Sequence, residues 1–581
     1  MRDDRLERPQ VSGDYRRRAA EQRRLFAERS GPPAERTRPD EEVAAGVQIP
    51  WLLVVLTFLV WVGTVGWVAE HGMLRAYSDA LAHELTARRV LDAVEPSFAR
   101  LGTVWLPLPP LLMLPIVIID PIWQSGLTGA LIGLPCLVMA VISLYVAGTT
   151  IGGKAAGWLA AGLFVLNPNV LYLFTTPMTE GPALAFTCLV GAGVTRALAG
   201  FQAGRSATAA VLVTALGSAG ALLSRYDGWI LAVMAGLAIV LGSRLRSSNG
   251  DGRSMAIVIM YALIPGYAVI LWLIYNSATY GDPLAFLTGQ YSSGGIVEDL
   301  ARTGMIPTVG GKRIEDGAPL RAALTYSRAV LECFGIAATA IGVAGLIAAA
   351  VQLRRRWAAG AVLVLTAPFW FYILALTTSQ SVIITRWELP HGLFNVRYGT
   401  TLAPFGALAA AALLAVAAPR WRSVAAWSLF VVALVGNLWL VVEPGGPVVY
   451  AEGLLNVRAA KARASEQAAA WLAAQPDDGY ILMADFSQPL AKYMLTYGGR
   501  PVRTFISKSD FGLWDEALAD PLRFRAGDPP VGIDLFVALA PTSSQRHLDP
   551  VAANVLRNEQ VPGFREVFRN SEVVIFRRDI Q

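Results

Sequence analysis

The sequence contains few of the residues that cross-link small domains or bind metal ions. It has three cysteines and four histidines among 581 residues. Cys136, Cys188 and Cys333 all fall in apolar segments, where an unpaired cysteine behaves as a small hydrophobic residue. The histidines show no HExxH or other metal-ligand spacing. These shortages argue against a disulfide framework and a zinc cluster, and we assign no metal ligands.

Charged residues and nucleotide-binding motifs are scarce as well. Only 16% of the residues are charged and 54% are hydrophobic, which excludes an ordinary soluble protein. The net charge of +6 resides mainly in arginine-bearing loops, so it indicates membrane topology and not nucleic-acid binding. The stretch GGKAAG at 152–157 lacks the complete phosphate-loop pattern, and no internal repeat is visible. The first apolar run is long enough to span a bilayer, so we expect no cleavable signal peptide.

Long apolar runs dominate the chain instead. A helix needs about 20 apolar residues to cross a hydrocarbon core of roughly 30 Å. The sequence therefore predicts a polytopic α-helical membrane protein with about 11 transmembrane helices. These predicted spans lie near 50–69, 126–148, 155–169, 181–198, 207–223, 229–243, 256–275, 331–351, 358–376, 400–418 and 424–442.

Short basic loops orient the spans. The loops 242–254, 352–358 and 418–423 are rich in arginine, which predicts a cytosolic location by the positive-inside rule. Counting outward from them places five regions and the C-terminal part on the opposite face. The five regions are 70–125, 170–180, 224–229, 276–330 and 377–399.

The assignment of loops to the two membrane faces depends on the apolar segment 103–121, which is short and interrupted by four prolines. If it crossed the membrane, every later loop would change sides and the arginine-rich loops would face outward. We therefore expect an interfacial or re-entrant piece. Proline at membrane depth needs neighbouring protein to satisfy the freed carbonyls, so this piece should lie against the helix bundle.

The two ends of the chain differ from the middle. Residues 1–49 are polar and predict a cytosolic disordered tail. After the last span, residues 443–581 predict a small α/β domain on the outer face. NVRAAKARASEQAAAWLAAQ fits an amphipathic helix, and GYILMA, IDLFVAL and SEVVIFRR fit short buried strands. We assign no catalysis to this domain.

Nearly all the polar residues that need an explanation fall on the outer face. Ionisable side chains at the ends of spans usually point into a water-filled cavity and are candidates for function. Two acids and several arginines together predict a site that handles an anionic leaving group and a hydroxyl nucleophile. The segments concerned are 77–84, 167–181, 224–229, 275–286 and 385–399.

Each candidate also has a structural explanation. Asp79 is suited to an N-cap, and His83 and Glu84, one turn further, would fit an exposed helix face. Glu180 would complement the dipole of the next span. Asp282 fits a turn.

The cationic candidates have structural explanations too. Arg225 and Asp227 could form an ion pair. Arg386, Arg397 and Tyr398 could reach for lipid headgroups from the ends of spans.

Four motifs on this face carry a family resemblance. YSDA at 77–80 follows the first span, and the proline-rich WLPLPPLL lies at 105–112. A second acid stands in TTPMTEG at 175–181, and FNVRYG at 394–399 opens a late span. With these motifs, residues 50–442 resemble the GT-C superfamily of membrane glycosyltransferases. The chain looks most like protein O-mannosyltransferases and the aminoarabinose transferases of lipid A, whose sugar donor is linked to polyprenyl phosphate.

The motifs depart from the family pattern in three places. Asp79 is followed by Ala80 and not by a second acid, and the proline stretch lacks the usual histidine. No arginine precedes Glu180 in the second acidic motif. These departures leave the sugar, the acceptor and metal use open.

The resemblance implies roles for individual residues. Asp79 would be the general base that takes the proton of the acceptor hydroxyl, and Glu180 would orient the acceptor or assist catalysis as a second carboxylate. Arginines would stabilise the charge on the departing phosphate. Arg397 and Arg225 are the leading candidates for this role, and Arg386 is the third. Further substrate-binding residues are expected to be Tyr77, His83, Glu84, Tyr226, Asp227, Trp229, Glu388, His391 and Tyr398.

The resemblance thus predicts an inverting transferase that acts on the extracytoplasmic face of the plasma membrane. Its partners would be the bilayer, a polyprenyl-phosphate sugar donor and a glycan, lipid or protein acceptor, without nucleic acid. No cofactor is required, although a divalent metal is compatible with the reaction. The polyprenyl chain is expected between spans near 103–121.

Three other functions remain open. A transporter or flippase of lipid-linked sugars would place its charges near the bilayer midplane and often shows internal repeats. A glycan polymerase or ligase would use a diphosphate-linked donor. A catalytically silent protein would use the bundle only to display its C-terminal domain. Charges at span ends and the lack of a repeat favour the enzyme.

Overall fold

The computed structural model describes most of the chain after the N-terminal region. It covers residues 48–579 except 103, 247–251, 289–291, 303, 305, 310–311, 389–391, 459, 477–478, 485–498, 508–509, 511, 544–545, 547–548 and 557–559. Almost all of the predicted N-terminal tail, and the candidate His391, therefore lie outside the described residues.

Helices account for most of this part of the chain, and nine of those described are long and apolar enough to cross a membrane. Two shorter apolar helices, Lys154–Val165 and Thr208–Ser224, occupy two further predicted spans. The predicted polytopic helical architecture is confirmed, with the number of about 11 as an approximation. The nine long segments are Trp51–Glu70, Thr128–Gly152, Glu180–Gln202, Asp227–Arg246, Ser254–Tyr280, Pro319–Gln352, Trp357–Thr377, Val396–Val416 and Pro419–Val442.

Two of these helical regions are interrupted by residues that break a helix. Lys154–Val165 stops before Asn167, whose side chain accepts a hydrogen bond from Val170 N and caps a new helix, Pro168–Leu173. Pro319–Gln352 contains a kink at Gly335, where φ is 72°. Glycine tolerates this conformation because it lacks a Cβ.

The basic loops lie together at one end of the bundle. Gln202, the last residue of Glu180–Gln202, donates a hydrogen bond to the carbonyl of Arg355. Arg246, at the end of Asp227–Arg246, donates one to the carbonyl of Arg205. Both helices have their acidic first residue at the opposite end, about 30 Å away by helix geometry. Basic and acidic residues are thus separated along the bundle axis, as the topology count requires.

The proline-rich segment forms a helix too short to cross a bilayer. Leu108–Val117 has ten residues, which is about 15 Å of helix, and it is followed by Asp120–Ser125. It packs against the helices Ser78–Leu91 and Thr128–Gly152. The guanidinium of Arg88 donates to the carbonyl of Val117, so a neighbouring side chain satisfies the backbone at the end of this helix.

Several short helices cover the end of the bundle that carries the polar candidates. The described members are Ser78–Leu91, Phe98–Leu101, Ala285–Thr288, Ser293–Arg302, Arg386–Glu388 and Val448–Arg458.

The C-terminal part is a small α/β unit. Its strands are β1 (Tyr480–Leu482), β2 (Phe505–Ile506), β3 (Ile533–Leu539), β4 (Phe564–Arg569) and β5 (Val573–Arg578). They form a sheet in the order β2-β1-β3-β5-β4. The strand β1 runs parallel to β2 and β3, and β5 runs antiparallel to β3 and β4. The helices Ala460–Ala473, Gly512–Ala519 and Pro550–Asn554 accompany it. The three predicted strands correspond to β1, β3 and β5.

This sheet shares a hydrophobic core with the first outer helix. Leu81 and Leu85 of Ser78–Leu91 belong to the same cluster as Ile481, Leu535 and Ile575 of the sheet. Ion pairs surround the contact: Arg89 Nη1 lies 2.8 Å from Asp510 Oδ2, and Arg503 Nη1 lies 3.1 Å from Asp92 Oδ1. The C-terminal unit therefore fixes the helix that carries Asp79.

Candidate active site

Asp79 lies at the start of the helix Ser78–Leu91. Tyr77 occupies the N-cap and Asp79 lies in the first turn, so the structure does not support the N-cap explanation for Asp79. The Asp79 side chain is 41% exposed. Its Oδ2 accepts a hydrogen bond of 2.6 Å from Arg397 Nη2. One oxygen of this carboxylate is therefore bonded to a guanidinium, and part of the side chain is exposed.

Arg397 is the centre of the cluster. It follows Asn395, which has a left-handed φ of 55°, and lies in the 3₁₀ helix Val396–Leu402. Besides Asp79, its guanidinium donates from Nε to Glu180 Oε1 at 3.1 Å and from Nη1 to Glu452 Oε1 at 3.2 Å. The side chain is 5% exposed, so the explanation that Arg397 reaches for lipid headgroups is wrong. Its charge is directed inward because three carboxylates surround it.

Glu180 joins the two arginines. It is the first residue of Glu180–Gln202 and is completely buried. Its Oε1 accepts from Arg397 and, at 2.9 Å, from Arg225 Nη1. Its Oε2 has no hydrogen-bond partner among the described residues. A buried carboxylate oxygen normally has a partner, so this atom is available to a bound ligand.

Arg225 forms the second cationic position. It lies between Thr208–Ser224 and Asp227–Arg246. Its Nε donates to Asp227 Oδ1 at 3.2 Å, and its Nη2 donates to Tyr372 Oη at 2.6 Å. The predicted Arg225–Asp227 ion pair is confirmed. The same guanidinium also reaches Glu180, so the pair belongs to the cluster.

Aromatic rings pack against both guanidiniums. The Tyr398 ring centre lies 4.8 Å from Arg225 Cζ and 5.1 Å from Arg397 Cζ. Tyr77 lies 4.8 Å from Arg397 Cζ. These distances are those of cation–π contacts. Tyr398 is therefore held between the arginines and does not lie at a headgroup.

The charges of the cluster do not balance. Asp79, Glu180, Asp227 and Glu452 face two guanidiniums, and Asp79 has the most exposed side chain of the six. Burial raises the pKa of the Glu452 carboxyl, while the Arg397 guanidinium opposes that shift. Burial likewise raises the pKa of the Tyr77 hydroxyl.

His83 and Glu84 are both buried, so the expectation of an exposed helix face is wrong. Glu84 pairs with Arg75, away from the cluster. The His83 ring lies 4.5 Å from that of Trp105, and its Nδ1 has no hydrogen-bond partner among the described residues. Burial lowers the pKa of His83 to about 4. Residues outside this helix, Trp105 for His83 and Arg75 for Glu84, contact these side chains, which the local sequence does not reveal.

Other candidates lie apart from the charged cluster. Tyr226 and Trp229 belong to an aromatic cluster with Phe286, next to Arg225 in the chain. Arg386 donates at 3.0 Å to Glu443 and is not in contact with Arg225 or Arg397.

Two more candidates lie in short turns. Glu388 lies with Arg386 in a 3₁₀ turn, and its Oε1 has no hydrogen-bond partner among the described residues. Asp282 accepts from Leu284 N at 2.8 Å, which fits the turn explanation.

The sequence analysis missed two members of the cluster. Tyr372 is hidden in the apolar run of a span. Glu452 lies on Val448–Arg458, after the last span, in the part assigned to a separate outer domain. The one available signal was a single acid in an otherwise apolar helix, and such an acid does not identify its partner.

An apolar cavity of about 390 Å³ lies between the helices of the bundle. It is lined by side chains of the segments Lys154–Val165, Pro319–Gln352, Ala367–Thr377, Ala403–Val416 and Arg422–Val442. Val343 and Trp370 line it and are more than half exposed, so it opens sideways.

A series of rings leads from this cavity to the cluster. Phe369 lines the cavity and lies 5.8 Å from the Tyr326 ring. Tyr326 stacks on Tyr372 at 4.8 Å, which stacks on Tyr398 at 5.1 Å. The cavity and the arginines therefore share one aromatic wall.

No group of three or more His, Cys, Asp or Glu side chains in the described part of the chain is arranged to hold a metal ion.

Known structures share this architecture. ArnT from Cupriavidus metallidurans bound to undecaprenyl phosphate matches with a TM-score of 0.52 and 13% sequence identity, over 90% of this chain and 97% of that one. Its apo form gives 0.50 and 14% with the same coverage. The apo oligosaccharyltransferase of Archaeoglobus fulgidus gives 0.49 and 13%, over 84% of this chain and 69% of that one. No protein-family model and no curated protein matches the sequence.

The likeness to ArnT extends over nearly the whole of both chains. At this level of identity it shows the fold alone. The chain therefore has the membrane fold of the GT-C glycosyltransferases, as the sequence resemblance predicted.

Proposed function

We propose that this chain is an integral membrane glycosyltransferase. It moves a sugar from a polyprenyl monophosphate to a hydroxyl group of a glycan, lipid or protein on the extracytoplasmic face. The observation that carries this proposal is the pair of Asp79 and Arg397, where a partly exposed carboxylate is bonded to a buried guanidinium. The GT-C fold and the undecaprenyl phosphate bound to ArnT support it.

The partly exposed carboxylate of Asp79 suits a general base. An acceptor hydroxyl would donate its hydrogen bond to Asp79, and the hydroxyl oxygen would attack the anomeric carbon of the donor. The proton passes to Asp79 as the bond between this carbon and the phosphate oxygen breaks, and the electron pair stays on the phosphate. Proton transfer of this kind contributes about 10²–10⁴-fold to a rate. A single displacement inverts the anomeric centre.

The arginines suit the departing phosphate. Charge grows on the phosphate oxygen in the transition state, and preorganised cations stabilise it there. Arg397 Nη2 is bonded to Asp79 in the free protein. When the phosphate of the sugar donor accepts the hydrogen bond from Arg397 Nη2 in place of Asp79, the Asp79 carboxylate is released toward the acceptor. Donor binding would therefore prepare the base.

Glu180 holds both guanidiniums through one oxygen. Its unpartnered Oε2 would accept a hydrogen bond from a hydroxyl of the sugar or the acceptor. Tyr226 and Trp229 lie next in the chain to Arg225, where rings of this kind would pack against a sugar.

The apolar cavity suits the polyprenyl chain better than the segment 103–121 does. It lies among the spans, opens sideways and shares its aromatic wall with Tyr398. None of the described residues of the segment 103–121 lines it. We therefore place the polyprenyl chain in this cavity.

The decisive experiment uses the purified protein in liposomes with a radiolabelled sugar on a polyprenyl monophosphate and an extract of envelope lipids and glycans. We expect sugar to leave the donor with release of polyprenyl phosphate. Movement of intact donor across the liposome membrane without release would instead identify a flippase. Use of a diphosphate-linked donor alone would identify a polymerase or ligase.

A further inference from the structure

The helix Val448–Arg458 lies after the last span and is built into the site. Val449 N donates to Asn169 Oδ1 at 2.8 Å, and the carbonyl of Val449 accepts from Tyr77 Oη at 2.7 Å. A Cβ at Gly453 would lie only 3.0 Å from Ala76 Cβ and from Tyr172 Oη. Glycine thus permits a close approach, and the helix is fixed against the residues that precede Asp79.

Glu452 projects from this helix to both the backbone and the side chain of Arg397. Its Oε1 accepts from Asn395 N at 2.6 Å and from Arg397 Nη1 at 3.2 Å, and its Oε2 accepts from Arg397 N at 3.4 Å. Glu452 is 4% exposed. Asn395 has a left-handed φ of 55°, a conformation that an L-residue adopts at a cost. The carboxylate binds the amides of Asn395 and Arg397 and so stabilises this turn.

We propose that Glu452 is a positioning residue of the transfer reaction, because it holds Arg397 at the place where the donor phosphate binds. This inference rests on the proposed function and assigns part of the site to the segment after the last span. Asp79 and Glu180 hold the Nη2 and Nε positions of the same guanidinium, and Glu452 holds Nη1 and the backbone. If the donor phosphate displaces Asp79, Glu452 and Glu180 keep the guanidinium in place.

The test varies the concentration of a radiolabelled sugar–polyprenyl monophosphate in a steady-state assay. It compares the wild type with E452A, with E452D, whose carboxylate is drawn back by one methylene, and with E452Q, whose amide oxygen can still accept from Asn395 N and Arg397 Nη1. The control is E443A, which removes a partly exposed carboxylate nine residues earlier that pairs with Arg386.

We expect E452A and E452D to raise the donor KM and lower kcat/KM by about ten- to a hundredfold, since misplacement by about 1 Å can cost that much. E452Q should recover much of this loss, and E443A should equal the wild type. A merely structural role would reduce the amount of active protein and leave the donor KM unchanged.

The outcomes distinguish failure of the positioning role of Glu452 from failure of the proposed function. If the wild type releases polyprenyl phosphate and both E452A and E452D keep its donor KM, Glu452 has no positioning role. If E452A does not fold, the donor KM of E452D alone decides whether Glu452 has this role. If the wild type releases no polyprenyl phosphate from any donor, the proposed function fails and this inference fails with it.

Discussion

Asp79 and Arg397 are separated by 318 positions in the chain, and their side chains lie 2.6 Å apart. This contact joins the first outer helix to the turn that opens a late span. It requires both residues to lie at the same end of the bundle. With the eight predicted spans between them crossing the membrane, this is possible only if the segment 103–121 does not cross. The helix Leu108–Val117, with ten residues, meets that requirement.

Replacing Asp79 by asparagine should abolish transfer. The amide oxygen of the new side chain would still accept from Arg397, so the cluster retains its geometry, but an amide cannot take up the proton of the acceptor. We expect kcat to fall by about 10²–10⁴-fold in the polyprenyl phosphate release assay, with an unchanged yield of folded protein. D282N is the matched control, because Asp282 lies at the surface and caps a turn on the same face. Full activity of D79N would remove Asp79 from the role of base.

The membrane fold could be predicted from the sequence because it depends on local hydrophobicity. The apolar runs and the arginine-rich loops fix where the chain turns, and these patterns are visible without any long-range contact. The same is true of β1, β3 and β5, whose residues are mostly buried. The strand β2 was missed because it has two residues, and β4 because half of FREVFR is charged.

The candidate site was predictable only in part. Asp79, Glu180, Arg225 and Arg397 were recognisable because each charge stands at the end of a span, where burial in lipid would be costly. Glu452 lies in a helix after the last span, and nothing in its neighbourhood identifies Arg397 as its partner. His83 and Glu84 were misjudged because residues outside their helix, Trp105 and Arg75, contact them. Partners distant in sequence determine these features.

Replacing Arg397 should damage use of the donor more than use of the acceptor. In R397K the charge remains, but a lysine ammonium cannot match the fork geometry of guanidinium toward phosphate. We expect the donor KM to rise about tenfold or more, with a smaller change in the acceptor KM, in assays that vary each substrate separately. R397A should also unfold more easily, by about 3–5 kcal/mol, because it leaves buried carboxylates without their partner. Arg569, an exposed residue paired with Glu566, supplies the control R569A. An unchanged donor KM in R397K would show that Arg397 does not bind the donor phosphate.

Filling the apolar cavity should discriminate between long and short donors. Gly342 and Gly406 line the cavity; a Cβ at Gly342 meets ordinary contacts, and one at Gly406 meets nothing within 4 Å. G342F and G406F therefore attach a ring at two cavity-lining positions where the Cβ itself has room. We expect turnover of a long-chain donor to fall about tenfold or more, whereas a donor with a short, soluble isoprenoid chain should be used as by the wild type.

The matched control is G266F, since a Cβ at Gly266 also meets nothing within 4 Å and this residue does not line the cavity. Equal turnover of long and short donors by G342F and G406F would place the polyprenyl chain elsewhere. Loss of both donors in these variants, with G266F unaffected, would indicate that the cavity supports the folded bundle and not the lipid.

The buried His83 should make the protein sensitive to acid. Its pKa is lowered to about 4 in the folded protein by burial, from an ordinary value of 6.5. Asp79 and Glu180 act to raise this pKa, and Arg397 and Arg225 act to lower it. Between these two values the unfolded chain binds the extra proton. Stability therefore falls as the pH falls through this window, by about 2 kcal/mol between pH 7 and pH 5.

Thermal unfolding of the detergent-solubilised protein at these two pH values measures the effect. H83Q cannot take up the proton, so its melting temperature should fall less than that of the wild type on acidification. H71Q is the control, because His71 is exposed near the end of the first span and its loss should leave the acid sensitivity unchanged. If H83Q and the wild type lose the same stability between pH 7 and pH 5, another group is responsible for the acid sensitivity. His83 would then be accessible to protons in the folded state, despite its burial beside Trp105.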